Sequence, residues 1–270
     1  MALSISTRLS WHCAELTDIL LQVEVAADLD QRLIAAVLDH NPCPSFARVL
    51  AQDGIGERIW LHHEGEFALS YRAEVEVSRV AVDMPALMAL PPHRLPGEVV
   101  PYLLDSRYCP ASRFVPFVEE QFAGPQFESL GGGSKVLAMR DWIAAHYRYV
   151  PGSSTAATTA IDSFVERRGV CRDYAHTLIC LARAASIPAR FASGYGPNVK
   201  PQDFHAVAEV FLADSDGNGA WHLVDATGMV DARTFARIGV GRDAGDTSFL
   251  TSFGPAELRT IEVLVSECNR

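Results

Sequence analysis

Residues 168–185 read Arg-Gly-Val-Cys-Arg-Asp-Tyr-Ala-His-Thr-Leu-Ile-Cys-Leu-Ala-Arg-Ala-Ala. After Cys171 the apolar side chains recur at intervals of three and four residues, which is typical of a helix with one buried face. Gly169 interrupts the element before it, so the helix is predicted to begin at or just before Cys171. The fold prediction therefore starts from a helix whose first turn carries a thiol.

The position of Cys171 in the first helical turn bears on its chemistry. Unpaired backbone N–H groups and the positive end of the helix dipole lie at this turn, and both stabilise a thiolate. A single cysteine is more often an unreactive core residue, and Cys180, deeper in the same helix, fits that description. Cys171 therefore needs partners elsewhere in the chain before it can be interpreted as a nucleophile.

Three strands are predicted after this helix. They cover residues 187–196, 203–212 and 221–228. Turn residues at 214–219 join the last two strands as an antiparallel hairpin, which brings His205 and Asp225 within a residue or two of each other. A carboxylate beside an imidazole fixes the tautomer of the ring and stabilises its protonated form.

The pattern of three residues is more informative than any one of them. If the helix start docks on the hairpin, Cys171, His205 and Asp225 form a nucleophile, a general base and an orienting carboxylate. Taken singly, a histidine at this position is more often structural, and an aspartate at a strand end is more often a cap. The functional interpretation rests on their occurrence together.

Four segments resemble, in their order, the transglutaminase-like core: Gly-Val-Cys-Arg-Asp-Tyr-Ala-His, Ile-Pro-Ala-Arg-Phe-Ala-Ser-Gly-Tyr, Phe-His-Ala-Val-Ala-Glu-Val and Trp-His-Leu-Val-Asp-Ala-Thr. The resemblance covers residues 134–230. It implies a papain-like cysteine-hydrolase fold, in which the thiol-bearing helix packs on an antiparallel sheet. It also implies that Cys171 is the nucleophile, His205 the base and acid, and Asp225 the orienting residue. Similar bacterial proteins have a β-rich region before the core and a segment like Ser106-Arg-Tyr-Cys109.

The predicted class is α+β, with three parts along the chain. Residues 1–95 are predicted to form an N-terminal β-rich domain. Residues 96–133 form a connecting segment with short helices, and residues 134–270 form the transglutaminase-like catalytic domain.

Two local predictions within these parts depend on turn and cap residues. Residues 58–63 are predicted as one arm of a hairpin that turns at residues 64–66 into a strand at 67–77. Ser134 is predicted as the N-cap of a helix over residues 135–146.

Composition narrows the function classes. The 270 residues carry 23 basic and 33 acidic side chains, a net charge of −10, and 49% of them are hydrophobic. This excludes a disordered chain and disfavours a nucleic-acid partner. No signal-peptide core and no apolar run of about 18 residues occurs, so we expect a cytoplasmic protein with no membrane partner. The composition does not predict an oligomeric state.

We expect no metal and no cofactor. The six cysteines are scattered without a C-x-x-C pair. Residues 214–218 match the start of a calcium loop and Asp225 falls at its twelfth position, but the flanks are strands instead of helices, which favours a hairpin tip. The neighbours at 12–13 and at 62–63 point to opposite faces of their strands, so neither pair chelates one ion.

The implied chemistry is thiolate attack on an amide carbonyl, acyl-enzyme formation, and capture by water or an amine. The predicted function is a thiol-dependent hydrolase that cleaves peptide, isopeptide or side-chain amide bonds through an acyl-enzyme on Cys171, with a peptide or protein as substrate. Two alternatives stay open. One is a protein-glutamine acyltransferase (transglutaminase) or another amine-accepting acyltransferase, and the other is a non-catalytic peptide-binding module.

Thiol catalysis also needs donors for the negative oxygen of the tetrahedral intermediate. The backbone N–H of Cys171 is one predicted donor. The second stays open among Tyr149, Ser153, Ser154 and Thr159, which lie upstream in a predicted loop.

Overall fold

The computed structural model describes residues 1–122, 124 and 131–268. The strands are β1 (Ala2–Leu21), β2 (Gln31–His40), β3 (Ser45–Leu50), β4 (Glu57–Val77), β5 (Arg148–Tyr149), β6 (Arg168–Gly169), β7 (Ala189–Tyr195), β8 (His205–Ala213), β9 (Gly219–Val224), β10 (Ala236–Gly241), β11 (Leu250–Ser252) and β12 (Ala256–Cys268). The helices are α1 (Val115–Gln121), α2 (Gly132–His146), α3 (Ala160–Glu166) and α4 (Cys171–Ala184). Across this described part of the chain, no helix is both long enough and apolar enough to cross a bilayer.

Two long antiparallel strands, β1 and β4, form the centre of the first sheet. Buried and exposed side chains alternate along both, because successive side chains of a strand point to opposite faces. The pairing shifts between Cys13 and Thr17, where β1 bulges against Gly65 of β4. Gly65 has a φ of +82°, a conformation that glycine adopts without strain. The predicted turn at residues 64–66 is therefore wrong, because β4 continues through it.

The first sheet contains both ends of the described chain. β2 and β3 pair with β4, and the C-terminal strands β11 and β12 pair with β1. The strand-rich character predicted for the N-terminal region is confirmed. Sheet membership crosses the predicted division into residues 1–95, 96–133 and 134–270, since residues 250–268 extend the N-terminal sheet. That division into domains stays a prediction.

The second sheet carries the predicted hairpin. Its order is β10-β7-β8-β9, and all neighbouring pairs are antiparallel. Helix α4 packs against β7 and β8, both of which are buried along their whole length. Tyr195, Ala236 and Ile238 of this sheet also join the apolar core of the first sheet. The predicted α+β class, with the thiol-bearing helix packed on an antiparallel sheet, is confirmed.

The connection between the sheets consists of short turns and helices. Single 3-10 turns lie at Met84–Ala86, Pro92–Arg94, Val100–Leu103 and Ala111–Phe114. Residues 123 and 125–130 of the predicted connecting segment lie outside the described residues. Helix α2 begins at Gly132, so the prediction of Ser134 as its N-cap is wrong. The first turn of α2 therefore contains Gly132 and Gly133. Position 133 must be glycine for this turn to pack on Met84, because a Cβ there would lie 1.8 Å from the Met84 backbone oxygen.

A buried ionic cluster links the second sheet to the N-terminal region. The Glu209 carboxylate of β8 accepts hydrogen bonds from Arg190 of β7 at 2.8 Å and from Arg237 of β10 at 3.1 Å. Arg190 also pairs with Asp53 at 3.1 Å, and Arg237 pairs with Asp28. The shared Glu209 therefore compensates two guanidinium groups that would be costly to bury alone.

Candidate active site

The start of α4 places the Cys171 thiol. Asp173 is buried, and its Oδ2 accepts a hydrogen bond from the Val170 N–H at 2.8 Å, which closes the first turn. Glycine is required at position 169, because a Cβ there would lie 2.5 Å from the Cβ of Asp173. The thiol is half-buried, and its Sγ lies 3.9 Å from the backbone oxygen of Phe204. The helix start predicted from the sequence is confirmed.

The hairpin brings His205 and Asp225 together. His205 is the first residue of β8, and Asp225 directly follows the end of β9. The imidazole is 1% exposed, and its Nε2 lies 3.0 Å from Oδ2 of Asp225. Nε2 is used by Asp225, and Nδ1 is buried without a hydrogen-bond partner among the described residues. Cys171 lies close enough to raise the pKa of the imidazole, so Nδ1 is the ring nitrogen available to the thiol.

The Asp225 carboxylate is held by its own turn. Oδ1 accepts a hydrogen bond from the Thr227 N–H at 2.8 Å, and Oδ2 accepts from the N–H groups of Met229 at 2.9 Å and Val230 at 3.0 Å. These donors fix the carboxylate independently of the histidine. The position of the imidazole is therefore set by a rigid acceptor, as an orienting role requires.

The charges of the three groups support one another. Burial alone would lower the pKa of His205, but the hydrogen bond with Asp225 and the interactions with Cys171 raise it to about 10. Burial would raise the pKa of Asp225, but His205 and Thr227 hold it below its usual range. At neutral pH the ring is therefore a cation beside a carboxylate. The imidazolium and the Asp225 carboxylate thus form a buried ion pair, which holds the ring in one orientation.

Tyr149 reaches the same thiol from another direction. The short strands β5 and β6 are parallel and pair Tyr149 with Gly169, two residues before Cys171. The Tyr149 hydroxyl interacts with both the backbone N–H and the side chain of Cys171. Burial first, and then the proximity of Cys171, raises the pKa of Tyr149. The phenol therefore keeps its proton and stays a hydrogen-bond donor at neutral pH.

The structure distinguishes among the candidates for the second donor. The Ser153 hydroxyl donates to the backbone oxygen of Val150 at 2.7 Å, and the Thr159 hydroxyl donates to Asp162 at 2.7 Å. Both hydroxyls are thus used within their own turns. Tyr149 interacts with Cys171, and Ser154 stays open as a candidate.

The thiol opens into a cleft of about 540 Å³. Its walls come from the second sheet, from residues 244–252 and from Gln22 just after β1. Gln22, Ser193 and Thr247 are at most 9% exposed, and their side-chain polar atoms have no hydrogen-bond partner within the described residues. These atoms are buried within the wall and do not face the open space of the cleft. Sequence reasoning missed this wall, because its residues lie far from Cys171 along the chain.

The residues weighed as a calcium loop form the tip of the hairpin. Oδ1 of Asp214 accepts hydrogen bonds from the N–H groups of Asp216 and Asn218, both at 2.9 Å. The turn lies between β8 and β9, which confirms the hairpin interpretation. In residues 1–122, 124 and 131–268, no cluster of three or more His, Cys, Asp or Glu is arranged to hold a metal ion.

Comparison with known proteins matches the chain to a described family and to a solved structure of described activity. Residues 118–226 match the family model described as the transglutaminase-like superfamily. The solved structure described as "a putative cysteine protease" from Cytophaga hutchinsonii superposes with a TM-score of 0.92 at 30% sequence identity. That superposition covers 100% of this chain and 91% of the other. The structural similarity therefore extends over both sheets.

Two mycobacterial relatives are uncharacterised proteins. The one from Mycobacterium leprae (strain TN) is 29% identical over 119 residues, which are 42% of this chain and 42% of the relative. The one from Mycobacterium tuberculosis (strain H37Rv) is 29% identical over 244 residues, which are 81% of this chain and 75% of the relative. The chain thus spans less than half of the first relative and three quarters of the second.

Proposed function

Because the chain belongs to the transglutaminase-like superfamily, we propose that it is a thiol-dependent hydrolase that cleaves peptide, isopeptide or side-chain amide bonds. One observation carries the proposal. The buried imidazole of His205 lies between the Cys171 thiol at a helix start and the fixed Asp225 carboxylate. This arrangement suits nucleophilic attack on an amide, followed by proton transfer to the leaving amine.

Acylation uses the charges described above. The Cys171 thiolate attacks the amide carbonyl carbon, and the C=O electron pair moves onto the oxygen. When the tetrahedral intermediate collapses, the C–N bond breaks, and Nδ1 of His205 gives its proton to the departing nitrogen. The products are a thioester on Cys171, a free amine and a neutral imidazole. Asp225 keeps the ring in position throughout.

Deacylation reverses the role of the histidine. The neutral imidazole removes a proton from water, and the resulting hydroxide attacks the thioester carbon. Collapse of the second intermediate breaks the C–S bond, releases a carboxylic acid and restores the thiolate beside an imidazolium. An amine in place of water would yield a new amide, which is the acyltransferase alternative.

Two donors are available for the oxygen of each tetrahedral intermediate. The backbone N–H of Cys171 lies at the start of α4, and the Tyr149 hydroxyl lies beside it. Together they supply hydrogen bonds that strengthen as negative charge develops.

Hydrolysis is favoured over transfer by the described activity of the similar structure. The Cytophaga protein, which is similar over its whole fold, is described as "a putative cysteine protease". The cleft of about 540 Å³ at the thiol also offers room for a peptide segment.

The experiment is a comparison of thiol labelling and amide cleavage. Iodoacetamide at neutral pH should modify Cys171 faster than the half-buried Cys43, with peptide mass spectrometry reporting both rates in one sample. Cys171→Ala should abolish amide cleavage without changing the circular dichroism spectrum. His205→Gln should slow labelling at Cys171 and leave the rate at Cys43 unchanged.

Two outcomes would overturn the proposal or redirect it. Retention of cleavage by Cys171→Ala would exclude Cys171 as the nucleophile. Incorporation of a labelled primary amine into a glutamine-containing protein, in place of carboxylic acid release, would identify an acyltransferase.

A further inference from the structure

The Ser106-Arg-Tyr-Cys109 segment, to which the mechanism assigns no role, forms a tight turn at the mouth of the cleft. Ser106 and Cys109 exchange two backbone hydrogen bonds, at 3.1 and 3.2 Å, so the two central residues project from the turn. One of them, Tyr108, is buried. Its N–H donates to Asp243 at 2.8 Å, and its ring stacks on that of His176 with centroids 5.5 Å apart. The other central residue, Arg107, is therefore attached to a rigid anchor.

Two guanidinium groups meet at the Tyr108 ring. The Arg107 carbon Cζ lies 5.0 Å from the ring centroid, and that of Arg172 lies 5.9 Å from it. Arg172 follows Cys171 directly in α4, and both arginines line the same cleft as the thiol.

These cations are incompletely neutralised by the protein. Arg107 forms no ion pair with any carboxylate of the described residues. Arg172 donates to the backbone oxygen of Thr155 at 2.7 Å and lies 3.4 Å from Asp173, but its Nε is buried without a partner. Asp173 accepts the Val170 N–H through Oδ2 and pairs with Arg172 through Oδ1. Arg107 thus retains an unpaired positive charge at the cleft, while Arg172 is partly compensated by Asp173.

The positive charge of these arginines contrasts with the negative net charge of the whole molecule. The chain carries a net charge of −10, which repels anions at long range. The cleft also contains Asp203, but that residue lies two positions before His205 and affects Tyr149 electrostatically. The cleft lining therefore has two guanidinium groups at the Tyr108 turn and a carboxylate near the histidine. The Asp243 carboxylate, which accepts from the Tyr108 N–H, is buried and is not part of that lining.

We propose that Arg107 and Arg172 form a subsite that binds a carboxylate of the substrate close to the scissile amide. The ligand class is a peptide with either an acidic side chain or a free C-terminal carboxylate at that position. Planar guanidinium groups bind carboxylates through paired hydrogen bonds, which gives both affinity and orientation. The inference rests on the proposed function in that Cys171 is the reacting thiol.

The first test compares two alkylating reagents of the same thiol, anionic iodoacetate and neutral iodoacetamide. The ratio of their rate constants at Cys171 cancels any change in the intrinsic reactivity of the thiol. Removing one cleft charge in Arg107→Gln or Arg172→Gln should lower this ratio by roughly three- to tenfold. Arg107→Lys should retain most of it, because the charge is kept.

A matched control is Arg8→Gln, which removes one positive charge from the first sheet, outside the cleft. In this variant the ratio of the iodoacetate and iodoacetamide rate constants should stay within about twofold of the ratio in the unmodified protein, because exposed charges are screened beyond about 10 Å. An unchanged ratio in both cleft variants would overturn the subsite. An equal fall in Arg8→Gln would also overturn it, since the effect would then be one of net charge.

A second test needs no reactive thiol and separates the two sources of carboxylate. Cys171→Ala is titrated, with saturation-transfer NMR as the readout, against N-acetyl-Ala-Glu-amide, N-acetyl-Ala-Gln with a free C-terminus, and N-acetyl-Ala-Gln-amide. At least one acid should bind more tightly than the neutral amide, and Arg107→Gln should remove the difference. Equal binding of all three peptides refutes the subsite, even where Cys171 proves to be the nucleophile. If Cys171 is not labelled but the protein still binds an acidic peptide more tightly than the neutral amide, the proposed function is refuted and the subsite is not.

Discussion

Replacing Glu209 with glutamine perturbs the ionic cluster that joins β8 to its neighbours and to the N-terminal region. The carboxylate is 1% exposed and is shared by Arg190 and Arg237, which are 4% and 5% exposed. Glutamine keeps the size of the side chain but offers one acceptor oxygen instead of two. Its amide NH₂ group would then face one of the two guanidinium groups, donor against donor.

Two independent estimates give the loss in free energy of unfolding that Glu209→Gln should cause. Burial would raise the pKa of Glu209, but Arg237 and Arg190 lower it from 4.5 to about 2. A shift of this size corresponds to about 3 kcal/mol of stabilisation by the ionised form. Breaking a buried ion pair by removing one partner costs about 3–5 kcal/mol. We therefore expect Glu209→Gln to lower the free energy of unfolding by about 3–5 kcal/mol at pH 7.

The assay is urea denaturation followed by circular dichroism, with thermal unfolding as a second measurement. In a chain of this size 1 kcal/mol corresponds to about 2–4 °C, so the melting temperature should fall by about 6–20 °C. The control is Glu257→Gln, which removes the carboxylate of an exposed pair with Arg259. Exposed pairs contribute at most about 1 kcal/mol, so the control should change little.

The pH dependence has a defined sign. The pKa of Glu209 is lower in the folded protein than in the unfolded chain, so its contribution is present above pH 4.5 and is lost as the pH falls toward 2. The difference between the unmodified protein and Glu209→Gln should therefore shrink over this window. A loss below about 1 kcal/mol at pH 7 would refute the reasoning, because a neutral amide would then serve the two arginines equally well.

Four further predictions concern the site. Asp225 and Cys171 raise the pKa of His205 to about 10 against the effect of burial, so kcat/KM for amide cleavage should decline as the pH rises through about 10 in a pH–rate profile. Asp225→Asn should reduce kcat/KM at least about 100-fold in the same assay and move that decline to lower pH. Tyr149→Phe should reduce kcat about 100-fold with little change in KM, while iodoacetamide labelling of Cys171 continues. Millimolar calcium should change the melting temperature by less than about 1 °C, because Asp214 already binds backbone N–H groups of its own turn.

The proposed catalytic residues Cys171, His205 and Asp225 could be found from the sequence, because short-range signals define the position of each. The helical spacing after Gly169 locates the helix start, and the turn residues at 214–219 determine which strand positions face each other. His205 and Asp225 consequently meet across one tight hairpin, whose register depends on few residues. These signals are local, so one sequence suffices to find them.

Other features of the structure could not be predicted from the sequence, because they depend on contacts between distant segments. The strand β4 passes through residues 64–66, which resemble a turn, because the bulge in β1 accommodates Gly65. The pairing of β12 with β1 depends on residues at opposite ends of the chain, and no local pattern indicates it. The choice of Tyr149 among the candidate donors depends on the two-residue pairing of β5 with β6.

The residues that local signals predict are those proposed to carry the reaction, whereas the residues that distant contacts bring to the cleft are those expected to select the substrate. The family match covers residues 118–226, which include the thiol, the imidazole and the carboxylate. Gln22, Arg107 and the wall at residues 244–252 line the same cleft but lie outside that match. Residues that contact a substrate away from the reacting atoms decide which substrate is accepted, while the shared core decides how its amide is broken. Members of the superfamily can therefore keep one acyl-transfer mechanism and differ in substrate, and exchanges at Arg107 should alter substrate preference before they alter the chemistry at Cys171.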